Sequence, residues 1–492
     1  MKEYIISLDQ STSGTKVLLI NKKGSIISNF SMEHKQIYPN PGWLEHNPIE
    51  IYNNCLKLIH RTLKEQQLTP KNIAFLSITN QRETAVIWDQ KTSLPIYPAI
   101  VWQCRRTLPY CMELSSKESF VREKTGLKID PYFSATKWKW IVENIESSST
   151  NLLAGTIDSW LIYQLTKGKV HATDYTNASR TLLFNIHQLS WDPELIDLFN
   201  LQSIQLPEIK YSDDFFGYIE EESLIEDEYQ IPIYGVMGDS QAAMFAQQLV
   251  EKGMAKATYG TGSSVLMNIG NEPIIPKSKS LVLALGWNLK NDITYALEGI
   301  IVSSGDTIKW ARDQMGLFSN FDEFNKLTQS VSTSEGVYIV PGFNGLGAPY
   351  WNPNAKACIV GISRSTTKAH LLKACLDAVA LQIYDCIQLI EEESNIKLSE
   401  LCADGGASTN EELMQLQADC LQTNVKVTTI AELSAFGATY AGALGCYFWT
   451  RDEIKEKNVI KKRFTPSPTN SLTEKKIAGW KKAVSDVNNQ YQ

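Results

Sequence analysis

Residues 9–16 read DQSTSGTK and residues 259–265 read YGTGSSV. The first stretch lies between the apolar runs 4–8 and 16–20, and the second lies inside KATYGTGSSVLMNIG (256–270). Each has the make-up of a strand, a turn of glycine and hydroxyl residues, and a returning strand. A chain that opens both of its halves this way is expected to form two related lobes, over residues 1–249 and 250–492. A tight turn aims backbone N–H groups at anionic oxygens. Thr12 and Ser13 add hydroxyl donors, Lys16 adds positive charge, and Asp9 at the strand end is placed to hold Mg2+ through water. Gly260 and Gly262, with Thr261 between them, permit close backbone approach in the second turn. The same residue types also favour an ordinary hairpin turn. One such hairpin decides nothing, whereas two would clamp a nucleotide from both sides.

Other features bound the function. The chain has 492 residues, enough for two or three domains or one large two-lobed body. Lys and Arg number 47 against 54 Asp and Glu, a net charge of −7, so no basic surface for nucleic acid is expected. The start MKEYIISLDQ reads as a strand rather than a signal peptide, and no run of about 18 apolar residues predicts a membrane span. Nine scattered cysteines without a CxxC point to reduced thiols, a cytoplasmic protein and no structural zinc.

Strands and helices then alternate, the pattern of an α/β fold. Ile51, Leu56, Ile59 and Leu63 have helical spacing over 50–66, and IAFLSIT (73–79) reads as a buried strand. Arg82 and Glu83 follow it directly, placed to fork hydrogen bonds to a polyhydroxy ligand or simply to sit on the surface. Trp102 and Tyr132 would wall the apolar side of a sugar or polyol, or serve the core. CADGGASTNEELMQ (402–415) is a third glycine turn, followed by a helix with a capping box at Thr409 and Glu412. Backbone N–H groups at that helix start suit a phosphate or nucleoside. In GVMGDSQAAMF (235–245), Asp239 stands between a strand and a helix, as a helix cap or as a catalytic base.

Together these stretches resemble the FGGY carbohydrate kinases and, within them, the glycerol-kinase branch. The resemblance runs in order through YPNPGWLEHNPIEIY, ITNQRET, AIVWQCRRT, TGLKIDPYFSATKWKW, GTIDSWLIYQLT, TDYTNASRTLLFNIHQLSWD, GMAKATYGTG, YALEGIIVSSGDTIKW and GLGAPYW. YFSATKWKW satisfies the first family signature, and ACIVGISRSTTKAHLLKACLD fits the second apart from Cys375. The resemblance implies two ribonuclease-H-like lobes of the actin-like ATPase kind, with ATP and Mg2+ in the cleft between them. It implies Thr12, Ser13, Lys16, Thr261, Gly262, Gly305, Gly406 and Asn410 at the nucleotide. It implies Arg82, Glu83, Trp102, Tyr132 and Asp239 at the polyol, Asp239 as the base, and Asp9 with Asp239 near the metal. A homo-oligomer, dimer or tetramer, is implied as well.

Two positions depart from the branch. Ser240 stands where GDQQAA has glutamine, and Ser264 stands where an aromatic usually follows GTG. Both remove bulk from the acceptor pocket. They raise the expectation of a wider site preferring a longer, four- or five-carbon polyol or sugar over glycerol. EEESLIEDEYQIPI (220–233) replaces a loop that carries fructose-1,6-bisphosphate control in some members, and it lacks the histidine that others present for phosphorylation. Neither control is expected here.

Overall fold

The first strand, β1 (Tyr4–Gln10), is buried over nearly its whole length, which a strand covered on both faces requires. Its partner β2 (Gly14–Asn21) shows how the faces divide. Ile6, Leu8, Val17 and Leu19 enter one apolar cluster, while Ile5, Leu18 and Ile20 enter another. The structure is a computed structural model that describes residues 2–147, 149–457, 460–468 and 471–491. Four further strands complete the first sheet: β3 (Ile26–Glu33), β4 (Ile73–Asn80), β5 (Phe215–Tyr218) and β6 (Pro232–Gly238). Its order is β3-β2-β1-β4-β6-β5. Along that order the pairings are antiparallel, antiparallel, parallel, parallel and antiparallel.

The second sheet holds β7 (Met254–Tyr259), β8 (Ser263–Gly270), β9 (Leu281–Leu289), β10 (Asp292–Ile301), β11 (Glu400–Asp404), β12 (Val425–Thr428) and β13 (Ile460–Phe464). Its order is β9-β10-β8-β7-β11-β12-β13. From β10 onward the pairings run antiparallel, antiparallel, parallel, parallel and antiparallel. That is the sequence of the first sheet, with β9 added outside. The echo between the two hairpins therefore extends to the strand order of two whole lobes.

Helix α1 (Pro48–Glu65) covers one face of the first sheet. Asn47 caps it by accepting from the N–H groups of Ile49 and Glu50, and Pro48 takes the first helical position. Ile51, Cys55, Leu58 and Ile59 form the buried stripe. Leu56 lies at its edge, half-buried, because the stripe centres one residue away from the position that the spacing suggested. The opposite face of the sheet carries the layer between the lobes, helices α2 (Asp239–Ala246) and α3 (Leu433–Gly445). Although α3 comes from the second half of the chain, it packs chiefly on α2, β6 and β4. Glycines make the crossing: a Cβ on Gly437 would lie 1.8 Å from the Ala242 carbonyl oxygen, and one on Gly235 would lie 2.1 Å from that of Ala438. No helix among the described residues is long and apolar enough to cross a membrane.

Candidate active site

Strand β6 ends in the interlobe layer and places Asp239 at the mouth of both lobes. Gly238, with φ −60° and ψ 145°, is the capping residue, and Asp239 is the first residue of α2. Asp239 is thus not the cap. Its carboxylate accepts from its neighbour's N–H (Ser240, 2.7 Å) and from Arg82 Nε at 3.1 Å, and it keeps 39% of its side chain exposed. Gly238 is tied down by donating its N–H to Thr176 Oγ1 at 2.9 Å. A Cβ there would strike the Arg82 side chain at 2.8 Å, so glycine lets the arginine pass.

One pocket of about 810 Å3 is lined by all seven residues expected at the acceptor: Arg82, Glu83, Trp102, Tyr132, Asp239, Ser240 and Ser264. Arg82 and Glu83 are buried rather than on the surface. Glu83 holds φ +60°, a strained region for this residue type, and Ser134 Oγ fixes its carbonyl at 3.1 Å. Trp102 and Tyr132 stack edge to face at 5.3 Å, and Trp102 Nε1 donates to Thr12 Oγ1 at 2.9 Å. The first hairpin thereby touches the acceptor wall directly. Glu298 lines the same pocket and Arg180 lies next to it, and sequence reasoning missed both. Arg180 Nε donates to Glu83 Oε1 at 2.6 Å, and Arg82 Nη2 donates to Glu298 Oε1 at 3.3 Å. Burial raises the Glu83 carboxyl above its usual range against the pull of Arg82 and Arg180. Burial also opposes the charge of Glu298, yet Arg180 and Arg82 hold it down at about 2.

A second pocket, of about 630 Å3, lies on the other side of Asp239. Asp9, Lys16 and Gly406 line it, as expected of a nucleotide site, and a Cβ on Gly406 would meet nothing within 4 Å. Lys16 pairs with Glu432 at 2.8 Å, and Lys256 donates to Thr258 Oγ1 at 2.8 Å. Glu432 and Lys256 were also missed. Lys256 adjoined a recognised motif, whereas Glu432 meets its partner only through the fold. Thr12, Thr261 and Gly262 line the larger pocket instead. Ser13, Gly305 and Asn410 line neither pocket. Gly305 supports the second hairpin, its N–H donating to the Gly260 carbonyl at 3.0 Å, where a Cβ would lie 2.4 Å away. The expected capping box at Thr409 and Glu412 does not form. Asn410 caps α4 (Glu411–Leu421) by accepting from Leu413 N–H at 2.8 Å. Thr409 turns back to the Gly406 carbonyl, and Glu412 is taken by Lys373 and Thr328.

The two pockets share Asp239, Ser240 and Thr258, so they form one continuous cleft. Asp9 lies in the same place. Burial pushes its carboxyl up to about 7; Lys16 opposes the rise, and the charges of Asp239 and Glu432 add to it. No hydrogen-bond donor meets the Asp9 carboxylate among the described residues. A buried carboxylate without a donor, close to the carboxylate of Asp239, fits a hard divalent cation. No group of three metal-ligating side chains occurs among the described residues.

Comparison with known proteins accounts for this arrangement. Residues 4–246 match the N-terminal domain of the FGGY family of carbohydrate kinases, and residues 255–446 match its C-terminal domain. The chain is 44% identical to the glycerol kinase of Caldanaerobacter subterraneus subsp. tengcongensis, covering 98% of both chains. It is 45% identical to that of Bacillus anthracis, covering 98% of this chain and 99% of the other. The crystal structure of Plasmodium falciparum glycerol kinase with ADP superposes with a TM-score of 0.93 at 33% identity, covering 98% of each chain. The two sheets around one cleft are the ribonuclease-H-like lobes of the actin-like ATPase fold. With both domain models matched in order and relatives aligned from end to end, the chain belongs to the FGGY family of carbohydrate kinases.

Proposed function

We propose that this protein transfers the γ-phosphoryl group of ATP to a terminal hydroxyl of glycerol, giving sn-glycerol 3-phosphate. One observation carries the reading: the acceptor pocket and the glycine-lined pocket meet at one half-buried carboxylate, Asp239. Full-length relatives that are glycerol kinases favour glycerol over the longer acceptor that Ser240 and Ser264 suggested.

In this reading Arg82 and Glu83 grip the acceptor hydroxyls, and Trp102 and Tyr132 wall its carbon chain. Asp239 Oδ takes the proton as the hydroxyl oxygen attacks phosphorus. Arg82 Nε, 3.1 Å away, orients that carboxylate. Lys16, Lys256, Thr261 and the turn at Gly405 and Gly406 line the path of the phosphates. Asp9 and Asp239 would hold Mg2+, which when bound would neutralise phosphate oxygens. The rest is positioning and water exclusion by the closing lobes. The family resemblance adds a cytoplasmic homo-oligomer, which the mass in gel filtration with light scattering checks.

The deciding experiment measures kcat/KM with ATP for glycerol, erythritol and pentitols. Glycerol is expected to lead. A pentitol in first place would overturn the acceptor assignment, and ATP turnover indifferent to every polyol would overturn the kinase reading.

A further inference from the structure

Four charged side chains at the acceptor pocket are linked by ion pairs: Arg82, Glu83 and Glu298 line the pocket, and Arg180 joins them from outside its lining. None is more than 6% exposed. Two positive and two negative charges offset one another, with Asp239 adding to the compensation of Arg82 and Lys256 to that of Glu298, so displacing any of the four leaves a buried charge less well paired. Three belong to the first lobe, and Glu298, on β10, belongs to the second. Glu298 gives one oxygen to each arginine: Oε1 accepts a hydrogen bond from Arg82 Nη2 at 3.3 Å, while Oε2 lies 2.7 Å from Arg180 Nη1 as a charge contact without hydrogen-bond alignment. Arg180 in turn reaches Glu83 at 2.6 Å.

The Arg82 guanidinium spends three of its five N–H donors inside the protein, which leaves one on each Nη for an acceptor hydroxyl. Nε meets Asp239 at 3.1 Å, Nη1 meets Gln241 Oε1 at 3.1 Å, and Nη2 meets Glu298. Its orientation toward Asp239 is therefore set from the far side by a residue of the other lobe. Glu298 also lies in the register of the second sheet, between Leu266 and Val282, two residues before Ile300, which pairs with Ser264. A shift of β10 relative to the first lobe must drag Arg82 or break its pairing.

We infer that Glu298 and Arg180 are positioning residues for the acceptor site. Glu298 holds Arg82, Arg180 holds Glu83, and their mutual ion pair makes acceptor binding depend on where the second lobe stands. The inference rests on the acceptor reading of Arg82 and Glu83 given above.

Glu298→Gln keeps the size and removes the charge; Glu298→Asp keeps the charge on a shorter arm. The measurements are KM for glycerol, KM for ATP and kcat, with the glycerol-induced rise in melting temperature read on the same preparations. Glu298→Gln is expected to raise KM for glycerol about tenfold or more while KM for ATP stays within about twofold. Glu298→Asp is expected to recover part of that loss, and the glycerol-induced melting shift is expected to shrink in the same order. A purely structural role predicts otherwise: a lower melting temperature, a smaller active fraction and both KM values unchanged. That outcome would overturn the inference, as would equal rises in both KM values. If Glu298→Gln does not fold, Arg180→Lys takes its place, keeping a cation but not the fork between Glu83 and Glu298; the same split is required of it. Wild-type enzyme runs in parallel. Its failure to turn over glycerol would sink the acceptor reading, whereas normal wild-type turnover with unmoved variants would sink only this inference.

Discussion

At Asp239 one side chain answers to a helix, an arginine and two pockets. Its carboxylate sits at the first turn of α2, where the positive end of the helix favours negative charge. Asp239→Asn keeps the shape and removes the base. Transfer should fall by roughly 10²–10⁴-fold, with nucleotide affinity, read by fluorescent-nucleotide titration, little changed. Unaltered turnover would remove Asp239 from the role of base. A second residue makes a prediction about acid. His46 is wholly buried, and burial followed by the neighbouring His34 lowers its pKa to about 3. Nε2 faces Gln36 Oε1 at 2.8 Å, so the neutral ring donates there. The unfolded chain takes up this proton near pH 6.5, whereas the native one resists it, so stability falls as pH drops from about 6.5 toward 3. By pH 5 the loss attributable to His46 should reach up to about 2 kcal/mol. Urea midpoints at pH 7 and pH 5 check this, since His46→Gln should narrow the gap between them. An equal gap in both proteins would contradict it.

Among the elements, α3 packs closely against both α2 and β6 beside the site. Backbone lies against backbone at Gly437 and Gly235, and the N-terminus of α2 carries Asp239. Gly437→Ala puts a methyl group 1.8 Å from a carbonyl oxygen, so the helices must separate. A loss of about 3 kcal/mol in chemical denaturation is expected, with kcat falling as well because Asp239 moves with its helix. A variant as stable as wild type would show that the crossing adapts. The acidic segment 220–233 is a different kind of element. It forms a small hairpin, Ile225–Glu226 with Tyr229–Gln230, and its Glu220 and Glu221 are paired with Lys169 and Lys167. Its negative charge should repel a sugar bisphosphate. Fructose-1,6-bisphosphate at millimolar concentration is therefore expected to leave the initial rate unchanged, and clear inhibition would disprove that.

Across the whole molecule, what was legible in the sequence was what is local in the fold. The two hairpins announce themselves because turn, glycine and flanking strands are contiguous, and they brought the doubled lobe with them. Arg82, Glu83, Trp102, Tyr132, Ser240 and Ser264 were likewise visible in short motifs, and they converge on one pocket. Arg180 and Glu298 were not, because nothing near either residue in the chain reveals its partner. Arg82 and Glu298 are 216 positions apart, and Arg180 and Glu83 are 97 apart. The cap of α4 was misplaced by one residue because Thr409 and Asn410 are both good caps, and only tertiary pairing of Glu412 decided between them.

The return of α3 to the first lobe has a consequence for how the protein is made. Ile5, Leu18, Ile20 and Phe75 share a cluster with Phe436, Ala438 and Ala441, so one face of the first sheet has only α2 to cover it until α3 has been synthesised. Between Leu249 and Gly445 the ribosome needs roughly 10–40 s at about 5–20 residues per second. For that interval the nascent amino-terminal lobe presents a half-covered apolar sheet, and its completion waits on a helix encoded nearly two hundred residues downstream.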